Sequence, residues 1–287
     1  AAVDGWGAGL LAVTMFGLLF GLIEGSTDGW TAAPVASLVA GVAAFALFAR
    51  RQRHAASPLL KPSLLANRGF TSGLIVGLLF FAVTSGLIYV ISLFMQDALH
   101  ASAGAAALGL MPLTVGIIIS AFACMALAPR LGRNLILIGM LLTMAGAGWL
   151  LVLVVADGTG LSLWTLAPAV LLTGLGMGAC FGTIFDIALG DIAAGEAGSA
   201  SGSLSAIQQL ASGIGSAVVT TVYFHSGGFS GGAAHAMTVS VIVVLAITAA
   251  CLPALRLLPR RAPAEAGQSS AGQSSAGQSS AGQSRGA

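Results

Sequence analysis

The sequence has very little charge. Only 7% of its 287 residues are Asp, Glu, Lys or Arg, and 57% are hydrophobic. A soluble domain carries about 25% charged residues, so this composition excludes a water-facing surface for a chain of this length. A lipid-facing surface removes the difficulty, because hydrocarbon accepts apolar side chains on the outside as well as in the core. Cysteine is also scarce. Cys124, Cys180 and Cys251 all fall in apolar runs, lack any disulfide or metal spacing, and read as small packing residues. The four histidines, His54, His100, His225 and His235, sit in loops or at helix ends without clustering, so no metal is expected. No Gly-rich phosphate loop with a lysine is present. Gly198-Ser199-Ala200-Ser201-Gly202 matches the letters of a nucleophile elbow but lacks the strand–turn–helix context. The reading is therefore of a non-enzyme, with no cofactor and no nucleic-acid partner. The chain opens Ala1-Ala2-Val3-Asp4, with neither methionine nor charged leader, and the expectation is a start that is truncated or processed.

What the sequence has in abundance is long uncharged stretches. A helix needs about 20 apolar residues to cross the hydrocarbon core. Eight candidates lie between the charges, at 5–23, 33–49, 69–95, 105–129, 135–155, 164–189, 201–224 and 237–255. They are too long and too uniformly apolar for barrel strands, which run about 10 residues and alternate. The predicted fold class is an all-α integral membrane protein of about eight transmembrane helices. All 11 Lys and Arg residues follow an even-numbered segment or the chain end, while Glu24, Asp28, Asp97 and Asp157 mark the opposite loops. Cationic loops stay cytoplasmic, so both termini are expected in the cytoplasm of a multi-pass cell-membrane protein. The expected organisation is two linker helices over 1–49, a basic cytoplasmic loop over 50–68, a six-helix unit over 69–258 and a disordered tail over 259–287.

Few side chains inside these segments are polar enough to carry function. Asp186 is the one acid within a segment. It reads either as part of a proton or substrate pathway or as a solvated helix-end acid. Gln208 and Gln209 lie inside the seventh segment, where one of them is expected to bond a neighbouring helix or to line a polar cavity. Tyr89 and Trp149 read as cavity, packing or lipid-facing residues, and Glu24 and Asp97 as solvated caps at helix ends. Glycines four apart, such as Gly174 and Gly178 or Gly178 and Gly182, put small residues on one face and allow close helix contact.

Several runs carry a family resemblance. They are Leu172-Thr173-Gly174-Leu175-Gly176-Met177-Gly178, then Glu196-Ala197-Gly198-Ser199-Ala200-Ser201-Gly202 followed by Gln208-Gln209 and Gly213-Ile214-Gly215. Phe94-Met95-Gln96 with Gly109-Leu110-Met111-Pro112, and the opening Asp4-Gly5-Trp6 with Glu24-Gly25 and Gly29-Trp30, belong to the same set. Together they resemble the last eight helices of the 14-helix drug:proton antiporters of the major facilitator superfamily. Arg130-Leu131-Gly132-Arg133 is similar to the superfamily's basic loop motif, with Pro129 where the motif's usual acid stands. The resemblance implies efflux of hydrophobic, often cationic, small molecules in exchange for protons. It implies that segments three and six line a central cavity and that segments four and seven face a partner domain. It makes Asp186, Gln208, Gln209 and Tyr89 candidates for the transport pathway. Arg130, Gly132, Arg133, Gly174, Gly176 and Gly178 become candidates for the conformational motifs. It also implies a missing amino-terminal six-helix half, in the same polypeptide or in a partner chain. A non-transporting membrane scaffold or assembly subunit is the alternative.

Overall fold

A computed structural model of the chain describes residues 5–27, 29–52, 62–190, 192–193 and 195–253. The expected tail over 259–287, most of the basic loop (53–61) and the side chains of Arg130 and Arg133 lie outside the described residues. Ten α-helices are described: α1 (Gly5–Thr27), α2 (Ala32–Gln52), α3 (Pro62–Ala66), α4 (Arg68–Asp97), α5 (Ala103–Gly109), α6 (Met111–Leu131), α7 (Arg133–Asp157), α8 (Leu163–Leu189), α9 (Ala197–His225) and α10 (Ala233–Cys251).

Polar residues at the ends of apolar runs set several boundaries. The Asn67 side chain accepts from Phe70 N at 3.0 Å to start α4. Ser102 and Ser162 do the same for α5 and α8, each at 3.2 Å from the amide three residues on. These contacts satisfy amides that the first helical turn leaves without partners. Gly132, at φ +49°, makes a one-residue turn between α6 and α7 in a region that L side chains avoid.

Three features depart from the expected segments. The fourth segment is broken at Leu110 into α5 and α6. Pro112 has no amide to give the Leu108 carbonyl, and its ring crowds that oxygen. The short α3 forms inside the stretch expected to be a loop. Third, α4 runs 30 residues, about 45 Å, so Gln96 and Asp97 belong to its last turn rather than to the following loop.

Seven stretches of the described residues are long and apolar enough to cross a membrane, with Ala103–Cys124 counted as one across the break. The 29-residue α9 is long enough but does not reach the same apolarity. It nevertheless runs beside α4 from end to end. Phe70 and Ala200 share a buried cluster at one end. Gly86 meets Gly215 and Val219 midway, and Asp97 meets Tyr223 at the far end. Whatever α4 crosses, α9 crosses too, which restores the eighth span.

α4 and α8 form the centre. α4 lies between α8 and α9, α8 is flanked by α6 and α7, and α10 packs on α4, α7 and α9. Glycines set these approaches. A Cβ at Gly178 would lie 2.6 Å from the Ile117 carbonyl oxygen of α6, and one at Gly174 would strike the Leu113 carbonyl. Two residues from each, on the other side of the helix, Gly176 meets Gly139 and Thr143 of α7. α1 and α2 pair through Gly17, Gly21 and Gly41, and Leu19 of α1 covers Gly213 of α9.

Candidate functional site

One side of α4 has no neighbouring helix among the described residues. Gly73 and Gly77 meet Ala188 and Ile184 of α8, and Gly86, nine residues after Gly77 and half a turn around, meets α9. α10 covers a third side. The fourth carries Ile75, Leu78, Ser85, Tyr89, Ser92 and Gln96, all exposed or half-buried. Gln96 donates to the Ser92 carbonyl and lies equally close to the Ser92 hydroxyl, 3.2 Å in each case. The face is thus apolar toward the start of α4 and polar toward its end.

α9 presents a matching flank. With Gly215 against α4, residues Ser205, Gln209, Ser212 and Ser216 fall together on one side, each exposed or half-buried. The other flank carries Ile207, Leu210, Ile214 and Val218. Parallel helices of one hand bring the Ser205–Ser216 flank to the same side as the Ser85–Gln96 face. Because Gly215 lies level with Ala82 and Gly86, the α9 row ends where the α4 row begins, and the two form one diagonal polar stripe across the α4–α9 seam. It also explains why α9 does not reach the apolarity of the other spans. Ser85, Tyr89, Ser205, Gln209 and Ser212 have no side-chain hydrogen bond among the described residues, and an unpaired polar group in hydrocarbon costs several kcal/mol, so these positions are poorly suited to lipid.

The α8 edge of the surface is aromatic. Phe181 and Phe185 stack at 5.5 Å with planes 14° apart. Phe81 of α4 meets them edge-on at 5.3 and 6.2 Å. Phe181 keeps 45% of its area exposed, so an aromatic face remains available beside the polar rows.

The sequence-predicted residues divide. Tyr89 and Gln209 lie on the polar surface, while Gln208 turns toward the α4 seam and is half-buried. Among the described residues no side-chain hydrogen bond engages either glutamine, so the expected bond to a neighbouring helix is not formed. Asp186 is exposed but comes two residues after Ile184, which faces α4. It therefore points about 200° away and does not join the surface. Gly174, Gly176 and Gly178 are seam residues of α8. Gly182 is different, since a Cβ there would meet nothing within 4 Å. Gly132 is buried in the α6–α7 turn. A cavity of about 150 Å³ opens at the α5–α6 break, lined by Ala105, Leu108, Pro112, Leu163, Trp164 and Ala167, among others. Its lining is apolar and shares no residue with the polar surface.

Sequence reasoning missed most of the surface: Ser85, Ser92, Gln96, Ser205, Ser212, Ser216, Phe181 and Phe185. A signal was available. Positions 85, 89, 92, 96 and 205, 209, 212, 216 share the same spacing of four, three and four, which is one helical face written twice. Asp97 was also misread as a solvated cap. Its Oδ2 accepts from the Tyr223 hydroxyl at 2.8 Å and from Phe229 N at 2.7 Å.

Comparison with known proteins adds an independent finding. The Major Facilitator Superfamily model matches residues 3–216. The chain is 36% identical over 176 residues to a probable actinorhodin transporter of Streptomyces coelicolor, covering 61% of this chain and 30% of that protein. It is 32% identical over 231 residues to the methylenomycin A resistance protein of the same species, covering 80% of this chain and 47% of that one. To the multidrug efflux pump LfrA of Mycolicibacterium smegmatis it is 27% identical over 192 residues, or 67% of this chain and 38% of the pump. The chain thus spans less than half the length of each of these relatives.

Proposed function

Since the chain belongs to the major facilitator superfamily, we propose that it is the carboxyl-terminal portion of an exporter that moves hydrophobic or cationic small molecules out of the cell in exchange for protons. It is a multi-pass membrane protein. The observation that carries the proposal is the polar surface on α4 and α9. A bundle spanning hydrocarbon has no use for an unpaired polar face unless water, substrate or a second bundle covers it. Alternating access needs two units that rock about a site at their interface. Residues 69–258 supply one such unit. The second is an amino-terminal six-helix half, in the same polypeptide or in a partner chain. The two rows and the Phe181–Phe185 pair would then form this unit's wall of the cavity. Export is supported by the relatives, which are named for the transport of, or resistance to, actinorhodin, methylenomycin A and multiple drugs. The one-sided cations support a cytoplasmic position for both termini. On that reading α4 and α9 run outward and Asp97 lies at the outer end. Asp186, near the cytoplasmic end of α8, is this chain's candidate for the proton-carrying acid. Arg130, Gly132 and Arg133, at the α6–α7 junction, are the candidates for the motif about which this unit would close.

Efflux from cells lacking their own pumps tests the reading. The chain expressed with an amino-terminal six-helix half should lower drug accumulation, and collapsing the proton gradient should restore it. Unchanged accumulation in the presence of both halves would count against export, and efflux that survives loss of the gradient would count against proton coupling. Labelling with a membrane-impermeant thiol reagent tests the surface separately. Gln209→Cys should react about tenfold or more faster than Ile214→Cys on the opposite flank, because thiolate forms only where water reaches. Equal, slow labelling at both positions would favour a scaffold.

A further inference from the structure

We propose that Asp97 is a positioning residue, which fixes the axial register of α9 against α4 so that the polar row of α9 runs on into the polar row of α4. The proposal rests on reading that shared surface as the transport wall.

The seam between the two helices is shallow where they are closest. A Cβ at Gly215 would strike the Ala82 carbonyl, and one at Gly86 would lie 2.9 Å from the Gly215 oxygen. Backbone rests on backbone there, with Val219 as the neighbouring side chain. Small residues let helices come close, but they offer low ridges, so side-chain interlocking resists axial sliding weakly. A slip of one residue is about 1.5 Å along the axis. That is enough to shift Ser216, where the α9 row ends, from Ser85, where the α4 row begins.

The far end of the seam is built differently. Asp97 is the last residue of α4. One carboxylate oxygen receives the Tyr223 hydroxyl, from the last turns of α9, and the amide of Phe229, from the turn into α10. Hydrogen bonds to a carboxylate are short and about twice as strong as neutral ones. Both donors are themselves held. The Tyr223 side chain is fully buried. Phe229 sits at φ +59°, a conformation costly for a residue with a bulky side chain, and its ring stacks on Phe224 at 5.6 Å. Gly227 and Gly231, at φ +93° and +87°, shape the turn that presents the amide, and Gly228 N returns to the Tyr223 carbonyl at 3.1 Å. A strained turn, tied back to α9 and to a single carboxylate oxygen, fixes that end of α9 against α4 along the axis. No other hydrogen bond between side chains joins α4 to α9 among the described residues.

Because both donors meet the same oxygen, an amide can replace the carboxylate. The side-chain oxygen of the Asp97→Asn variant can take both bonds, whereas alanine takes neither. This separates positioning from charge. In the complete transporter, with rates expressed per folded molecule, Asp97→Ala should raise the KM for drug about 30-fold, the scale of two lost hydrogen bonds. Asp97→Asn, which keeps both bonds in weaker neutral form, should be clearly less impaired than Asp97→Ala, and Tyr223→Phe, which keeps one bond, should also fall between wild type and Asp97→Ala. Adding Tyr223→Phe to Asp97→Ala should cost nothing further, since that bond is already gone. An unchanged KM in Asp97→Ala, or an Asp97→Asn variant as impaired as Asp97→Ala, overturns the proposal.

A second measurement does not depend on transport. Spin labels at Tyr89→Cys and Gln209→Cys, in the full chain in lipid nanodiscs, report the register directly. The distance distribution should be narrow in the wild type and in Asp97→Asn, and shifted or broadened in Asp97→Ala. A distribution unaltered by Asp97→Ala removes the positioning role whether or not the protein exports drugs. A broadened distribution without any efflux would instead remove the transport reading alone.

Discussion

Gly178→Leu and Gly174→Leu will each leave little folded protein, while Gly182→Leu, four residues further along the same helix, will fold as the wild type does. The three positions look alike in sequence, spaced i, i+4, i+8 in a glycine-rich run. Their surroundings differ. At Gly174 and Gly178 the neighbour is the main chain of α6, at the carbonyls of Leu113 and Ile117, and main-chain atoms yield only if the whole of α6 moves. α8 cannot retreat from α6, because it is held on its other side by α7 through Gly176, Gly139 and Thr143, so the clash is relieved only by parting α6 from the bundle. Overpacking a well-filled interface costs about 1–3 kcal/mol, and more where backbone must shift. A membrane protein has little stability to spare against such a loss. At Gly182 a side chain meets open space. Folded yield from fluorescence-detected size exclusion, together with the unfolding midpoint in detergent, checks the prediction. If Gly178→Leu matches Gly182→Leu in both, the α6–α8 seam is not as described.

That contrast shows what was legible in the sequence and what was not. The spans were legible, because a long uncharged stretch has one cheap home and every backbone group in it must be satisfied within the helix. Each of the eight expected segments is helical over most of its length, and the ends differ by a few residues where a polar cap or a last turn extends the run. The break at Leu110 was also within reach, since Pro112 lies inside the fourth segment. Which glycines touch a neighbour was not legible. Spacing says that two glycines share a face, but only the placement of α6, α7 and α9 says whether that face is occupied. The same limit hid the Asp97 contacts. Asp97 and Tyr223 are 126 positions apart, and no local pattern pairs them.

The functional surface was half legible. Asp186 drew attention because a charge stands out in an apolar run, whereas serine does not. Threonine and serine hydroxyls in membrane helices commonly bond the carbonyl one turn back, as Thr84, Thr143, Thr173 and Thr183 do here at 2.8–2.9 Å. A hydroxyl in a span is therefore weak evidence of a polar path by itself. Only the repeated four-three-four spacing on two helices, joined end to end across their seam, turns eight ordinary residues into a surface. Asp186, despite its charge, lies on a side of α8 that turns away from it.

Replacing Ser205, Gln209 and Ser212 together by leucine should reduce efflux by roughly tenfold or more, without lowering the amount of folded protein in the membrane. Ser216 is left in place because its hydroxyl is already bonded to the Gly213 carbonyl at 3.0 Å. The expected size follows from the number of contacts removed. Each hydrogen bond to substrate or to cavity water contributes about 0.5–1.5 kcal/mol net, so losing two or three amounts to one to three decades in rate or affinity. Folding should not suffer, because these side chains leave the α4 seam untouched and leucine makes α9 more, not less, compatible with a bilayer. The opposite flank gives the reciprocal control. Ile207→Ser, Ile214→Ser and Val218→Ser combined should depress insertion and yield, since that side is the one proposed to meet lipid. It should leave KM per folded molecule near wild type. The two triple variants change helix composition in opposite senses, so a general effect of hydrophobicity predicts opposite changes in yield and nothing specific for transport. Only a surface with one wet side and one dry side predicts that the more apolar helix is the inactive one. If the leucine variant exports drugs normally, or if the serine variant inserts as well as the wild type, α9 has no such sides and the polar surface is not the transport wall.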